Sequence, residues 1–167
     1  MDVYLIRHAI AELRDATRWP DDSLRPLSDE GSERFRRAAR GLSLVVPSVD
    51  LVLASPFVRS WQTAELLHDE AGWRAPERCP ALAFGAPAAV LDVVRRRLDR
   101  ASVALVGHEP NLSSLASLLL AGDENSVALD MKKGGTALLE VEIPLAPGSA
   151  LLRWSVSPKI LRALDSR

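Results

Sequence analysis

Val103-Ala104-Leu105-Val106-Gly107-His108-Glu109-Pro110-Asn111-Leu112 is the stretch from which the architecture follows. Its first four residues are continuously apolar, and a Gly-His-Glu-Pro-Asn segment then stops the run. An unbroken apolar run marks a strand buried on both faces, whereas alternation would mark one wet face. From Leu112 the period changes. Leu112, Leu115, Ala116 and Leu119 share one helical face, and Gly122 supplies a stop. The same unit recurs twice upstream. Residues 3–6 are followed by Phe35, Ala38, Ala39 and Leu42 at helical spacing, with Ser28 as N-cap and Asp29 and Glu30 in the positive first turn. Residues 51–54 are followed by Ala64, Leu67 and Ala71, ended by Gly72. Val90, Leu91, Val94 and Leu98 predict a further helix. Residues 136–143 and 150–156 read as two strands joined by a Pro-Gly loop, an antiparallel edge pair. The expectation is an α/β fold, a three-layer α/β/α sandwich with a mostly parallel central sheet.

The chain has 167 residues, which predicts a single domain over 1–167. Its composition is 47% hydrophobic and 26% charged, the balance of a globular protein. Lys plus Arg number 21 against 22 Asp plus Glu, for a net charge of −1, so the basic excess of a nucleic-acid binder is missing. The one cysteine, Cys79, excludes an intrachain disulfide framework and a cysteine-based zinc cluster. The N-terminus lacks the pattern of a signal peptide, and the longest aliphatic stretches, 42–46 and 118–121, are too short to span a bilayer. A cytoplasmic location without membrane attachment is expected. The polar segment 14–26 reads as a surface loop, and 75–87 as an irregular connection holding one short strand.

In an open α/β sheet, ligands bind beyond the carboxyl ends of the strands. The first strand ends in Arg7-His8, the second leads into Ser55-Pro56-Phe57-Val58-Arg59, and the third ends in Gly107-His108. If the three are parallel, two histidines and two arginines converge where helix N-termini also favour anions. Phosphoryl is the anion that such an edge fits. Each piece alone has an ordinary explanation as a loop pair, a salt-bridge partner or a cap; their convergence does not. The third histidine, His68, and the run Arg95-Arg96-Arg97 fall on solvated helix surfaces. Neutral imidazole attacks phosphorus well, and a phosphohistidine intermediate divides one hard step into two. His8 is therefore the expected nucleophile, kept neutral by neighbouring positive charge, with its other ring nitrogen bound to a backbone carbonyl. Arg7 and Arg59 offer planar forks for the phosphoryl oxygens, and His108 becomes a further cationic donor beside a bound dianion. No metal or other cofactor is required, since the arginines supply the charge.

Three motifs in order resemble the histidine phosphatase superfamily, of phosphoglycerate mutase-like fold. They are Leu5-Ile6-Arg7-His8-Ala9, Ser55-Pro56-Phe57-Val58-Arg59-Ser60-Trp61-Gln62-Thr63-Ala64 and Val106-Gly107-His108-Glu109-Pro110. The segment Arg25-Pro26-Leu27-Ser28 with Gly31 resembles the opening of that family's first helix. Within the family the chain is most similar to the SixA group of bacterial phosphohistidine phosphatases. The resemblance implies His8 as nucleophile, with Arg7, Arg59 and His108 forming a phosphate pocket and Arg25 at its rim. Ala9 stands where the family has glycine, and is strained if the backbone there needs positive φ. The segment 79–85, where many ester-hydrolysing members place an acidic residue, has none; Glu12, Glu77 and Asp92 lie nearby in sequence, and none is identifiable as the acid. Imidazole leaves more readily than an alkoxide, so such a site suits phosphohistidine. Residues 72–101 leave little chain for a helical lid, which suits an open site for a phosphoprotein. The expected function is a phosphohistidine phosphatase acting on a histidine-containing phosphotransfer domain. Two alternatives stand beside it: a phosphatase of small phosphate esters, and a phosphoryl-binding module without turnover.

Overall fold

The strand residues divide between two cores, which is why their runs are unbroken. In the computed structural model, which describes residues 1–165, β1 is Asp2–Arg7, β2 Leu51–Ala54 and β4 Ser102–Gly107. Val3, Leu5, Leu51, Leu53, Val103 and Leu105 enter one core, with Leu82 of α3 (Ala81–Phe84), Val90, Leu91 and Val94 of α4 (Pro87–Arg95) and the apolar face of α5 (Asn111–Ala121). Tyr4, Ile6, Val52, Ala54, Ala104 and Val106 enter the other. There they meet α1 (Asp29–Ser43), α2 (Val58–Ala71) and Leu161 of α6 (Pro158–Leu164). The result is the expected three-layer sandwich.

The sheet order is β3-β2-β4-β1-β5-β6, with β3 at Glu77–Arg78, β5 at Thr136–Val141 and β6 at Ala150–Val156. The first four are mutually parallel; β5 runs antiparallel to β1 and to β6. β5 stops short of the predicted 143, where Pro144 can donate no ladder hydrogen bond. α4 likewise ends before Leu98, because the chain tightens into successive turns, Arg97 N–H to Val94 and Arg100 N–H to Arg97. α3 and α6 were not legible in the sequence: each is short and buries a single apolar side chain (α3, Leu82; α6, Leu161).

The ends of α1 and α2 follow their capping residues. Ser28 Oγ accepts the Gly31 N–H at 3.0 Å, and Gly72 ends α2 in the left-handed region at φ 70°. Gly31 is required by close approach, since a Cβ there would lie 1.9 Å from the Ile10 carbonyl oxygen. That contact seats α1 against the segment leaving His8. Among the described residues no non-glycine residue has positive φ, so Ala9 is unstrained. None of their helices is long and apolar enough to cross a membrane.

Candidate active site

The parallel register pairs Arg7 with Gly107 and Ala54 with Val106, so the residues following β1, β2 and β4 leave the sheet at one edge. They open into a cleft of about 370 Å³. Arg7, His8, Arg25, Arg59 and His108 all line it. His68 and Arg95–Arg97 do not: His68 is exposed, its Nδ1 2.7 Å from the Trp73 carbonyl, and the arginines lie on or just beyond α4.

His8 is buried, and its Nδ1 lies 2.7 Å from the Ala9 carbonyl oxygen. A carbonyl only accepts, so Nδ1 holds the ring proton and Nε2 keeps its lone pair. Burial lowers the His8 pKa to about 3, assisted by His108 and then by Arg59 and Arg7. Charge was the expected cause; desolvation is the larger one. The two imidazole centroids are 5.1 Å apart. His108 is lowered to about 4, again chiefly by burial and next by Arg59. Its Nε2 lies 2.8 Å from Ser55 Oγ, which also accepts the Phe57 N–H at 3.3 Å. The Phe57 ring packs on the His108 ring at 5.0 Å.

The arginines correct a detail of the expectation. Their forks are not open. Arg59 Nη1 donates to the Asp22 carbonyl at 2.7 Å, and Nη2 lies 3.2 Å from Asp22 Oδ2. Arg25 Nε donates to Asp22 Oδ1 at 2.8 Å and its Nη1 to the Glu12 carbonyl at 2.8 Å. Arg7 Nη1 donates to the Met131 carbonyl at 2.7 Å. The cause is the 14–26 segment, which is more than a surface loop. A 3-10 turn at Asp22–Leu24 folds it back and lays the Asp22 carboxylate between two guanidiniums. The hydrogen bond from Arg25, with the charges of Arg59 and Arg14 behind it, holds that carboxyl below its ordinary pKa.

Three nitrogens of the cleft residues are nevertheless buried without a partner: Arg7 Nε, Arg59 Nε and His108 Nδ1. Buried polar groups are normally satisfied, so three on one cleft call for an acceptor. A tetrahedral oxyanion supplies several. Among the described residues, no group of three or more His, Cys, Asp or Glu side chains is placed to hold a metal ion.

Of the three nearby carboxylates, only Glu12 lines the cleft, and its Oε2 is bound by Arg18 at 3.1 Å. Glu77 lines a crevice elsewhere with Asp50 and Leu51, and Asp92 pairs with Arg95 at 2.8 Å. Sequence reasoning missed Asp22 and Lys133, and quoted Glu109 without a role; Lys133 and Glu109 line the cleft. The antiparallel direction of β5 was the available signal for Lys133. It returns the start of that strand to the edge where β1 ends, and Gly134 N–H bonds the Arg7 and His8 carbonyls there at 3.0 and 3.1 Å.

The fold and this cleft are those of a phosphatase. Residues 3–83 match the histidine phosphatase superfamily (branch 1). An uncharacterised protein of Mycobacterium tuberculosis is 34% identical over 158 residues, 88% of this chain and 96% of its own. The phosphohistidine phosphatase SixA of Escherichia coli is 28% identical over 163 residues, 95% and 94% of the two chains. A solved structure of the protein histidine phosphatase SixA complexed with tungstate superposes with a TM-score of 0.84 at 27% identity, covering 96% of this chain and 99% of that one. The chain belongs to the histidine phosphatase superfamily, and its enzyme class is that of a phosphatase.

Proposed function

We propose that this single domain, spanning 1–167, is a metal-independent phosphohistidine phosphatase. It dephosphorylates a histidine-containing phosphotransfer protein in the cytoplasm through a covalent phospho-His8 intermediate. The observation that carries this is the tethered, neutral His8, which lines one cleft with three residues that each hold a buried, unpartnered nitrogen. In the first step Nε2 attacks phosphorus and the substrate imidazole leaves. In the second, water attacks phospho-His8 and phosphate is released. Arg7, Arg59 and His108 bind the phosphoryl oxygens, their unpartnered nitrogens serving as donors as charge spreads over those oxygens. Arg25 acts at the rim through Asp22.

The mouth of the cleft supports a protein as substrate. Leu13, on its wall, is 87% exposed, and Phe84, edge-to-face with Phe57 beside His108, is 76% exposed. Large apolar side chains around a charged cleft suit a partner surface more than a solvated metabolite. Similarity to SixA, named for the same activity, supports the reading too.

The test is metal-free dephosphorylation by wild type and His8→Ala, comparing a phosphohistidine-bearing phosphotransfer domain with small phosphate esters. His8-dependent hydrolysis favouring phosphohistidine is expected. His8-dependent turnover of esters alone moves the protein to the small-molecule phosphatases. Phosphate binding without turnover makes it a binding module.

A further inference from the structure

Ser55 follows β2 and His108 follows β4, and the pairing of Ala54 with Val106 brings the two together. Ser55 is fully buried, and its N–H donates to the Val106 carbonyl at 2.9 Å. Its hydroxyl has two neighbours. The Phe57 N–H donates to Oγ at 3.3 Å, and His108 Nε2 lies 2.8 Å from the same oxygen. The other ring nitrogen, Nδ1, is buried without a partner. Burial holds the His108 pKa at about 4, so near pH 7 the ring is neutral and has one proton to place.

A contact of 2.8 Å between a ring nitrogen and a hydroxyl oxygen holds a single proton, which can come from either side. If Nε2 carries it, Ser55 Oγ receives two donors. Its own hydrogen then has no acceptor among the described residues, and Nδ1 keeps a bare lone pair. If Ser55 carries it, the hydroxyl accepts once from Phe57 and donates once to Nε2, and the ring proton sits on Nδ1. The first arrangement strands a hydroxyl hydrogen and a ring lone pair in a buried site. The second strands only an N–H, which costs less. A phosphoryl oxygen satisfies that N–H, whereas it is repelled by a lone pair.

We propose that Ser55 is the positioning residue for His108: its hydroxyl fixes the imidazole proton on Nδ1, so that neutral His108 is a phosphoryl donor before substrate arrives. The inference rests on phosphoryl binding in this cleft. His108 then needs no positive charge to donate, contrary to the expectation from sequence. The two histidines are set by opposite means. At His8 the Ala9 carbonyl accepts from the ring, which leaves Nε2 a lone pair for attack. At His108 a hydroxyl donates to the ring, which leaves Nδ1 a hydrogen to give.

The experiment reads the ring nitrogens first, because that needs no turnover. Nitrogen NMR shifts of the histidine rings at pH 7, assigned with His8→Asn and His68→Asn, are expected to show wild-type His108 protonated on Nδ1. In Ser55→Ala the same ring is expected to populate the form protonated on Nε2. A wild-type His108 protonated on Nε2, or on both nitrogens, overturns the proposal. Affinity for inorganic phosphate is measured next by calorimetry. Ser55→Ala is expected to weaken it roughly tenfold, and to weaken it no further when added to His108→Asn. A loss of the same size in the His108→Asn background makes Ser55 a structural residue only and overturns its role. Should wild type bind no inorganic phosphate, the phosphoryl site itself fails, whatever the rings show. Should it bind phosphate with the His108 proton on Nε2, the role of Ser55 alone fails.

Discussion

At the scale of single residues, most of the chemistry was legible because it stands next to strand ends. Arg7, His8, Arg59 and His108 each follow or adjoin a buried strand or its helix, so chain direction alone brings them together. Asp22 was illegible for the opposite reason. It reaches Arg59 across a loop whose 3-10 turn leaves no periodic signal. Its carboxylate pairs with Arg59 and Arg25, two cationic residues of the cleft, and so offsets charge that would attract a phosphoryl dianion. Asp22→Asn should therefore be inhibited by inorganic phosphate at roughly tenfold lower concentration than wild type. Weaker inhibition would mean that Asp22 serves mainly to aim Arg59. Arg59→Ala should lower kcat about 10²- to 10³-fold with the fold intact, and unchanged turnover would remove Arg59 from the mechanism. The histidines also set a pH dependence of stability. Unfolded, each titrates near 6.5; folded, they titrate at about 3 and about 4. Between those values the unfolded chain holds more protons, so stability falls as pH drops from about 6.5 toward 4. Above 6.5 both are neutral in either state and contribute no slope. The guanidinium midpoint should be lower at pH 5 than at pH 7, and His8→Asn with His108→Asn should narrow the gap. An unchanged gap would place the acid sensitivity in other groups.

At the scale of elements, caps and turns were readable wherever a side chain does the work. Ser28 starts α1, and Gly72 and Gly122 end α2 and α5, as their chemistry dictates. α6 was not readable, because a seven-residue helix with one buried leucine, Leu161, shows no period. β5 was placed correctly as a strand, yet its consequence for Lys133 was overlooked. Ser28→Ala should cost about 1 kcal/mol in chemical denaturation and leave kcat nearly unchanged. Gly31→Ala should cost more, about 3 kcal/mol, and lower activity as well. Its Cβ would collide with the backbone at Ile10, two residues beyond the nucleophile. A variant with full activity and stability would show that α1 and the His8 segment are not tightly joined.

At the scale of the whole molecule, one sheet serves two cores, and that division was implicit in the unbroken apolar runs. Leu105→Ala, in the middle of β4 and fully buried, should destabilise by about 2–5 kcal/mol through the cavity it leaves. The loss should appear in one cooperative transition; two separate transitions would show the layers melting independently. The alternation also fixes which genetic changes the chain tolerates. Exchanging one aliphatic residue for another within β4 alters volume at a single point. Deleting one residue moves every later side chain of the strand to the opposite layer and draws His108 back by about 3.3 Å, one strand step, from its place opposite His8. Lineages descended from this sequence should therefore vary freely in the lettering of β4 and hold its length constant.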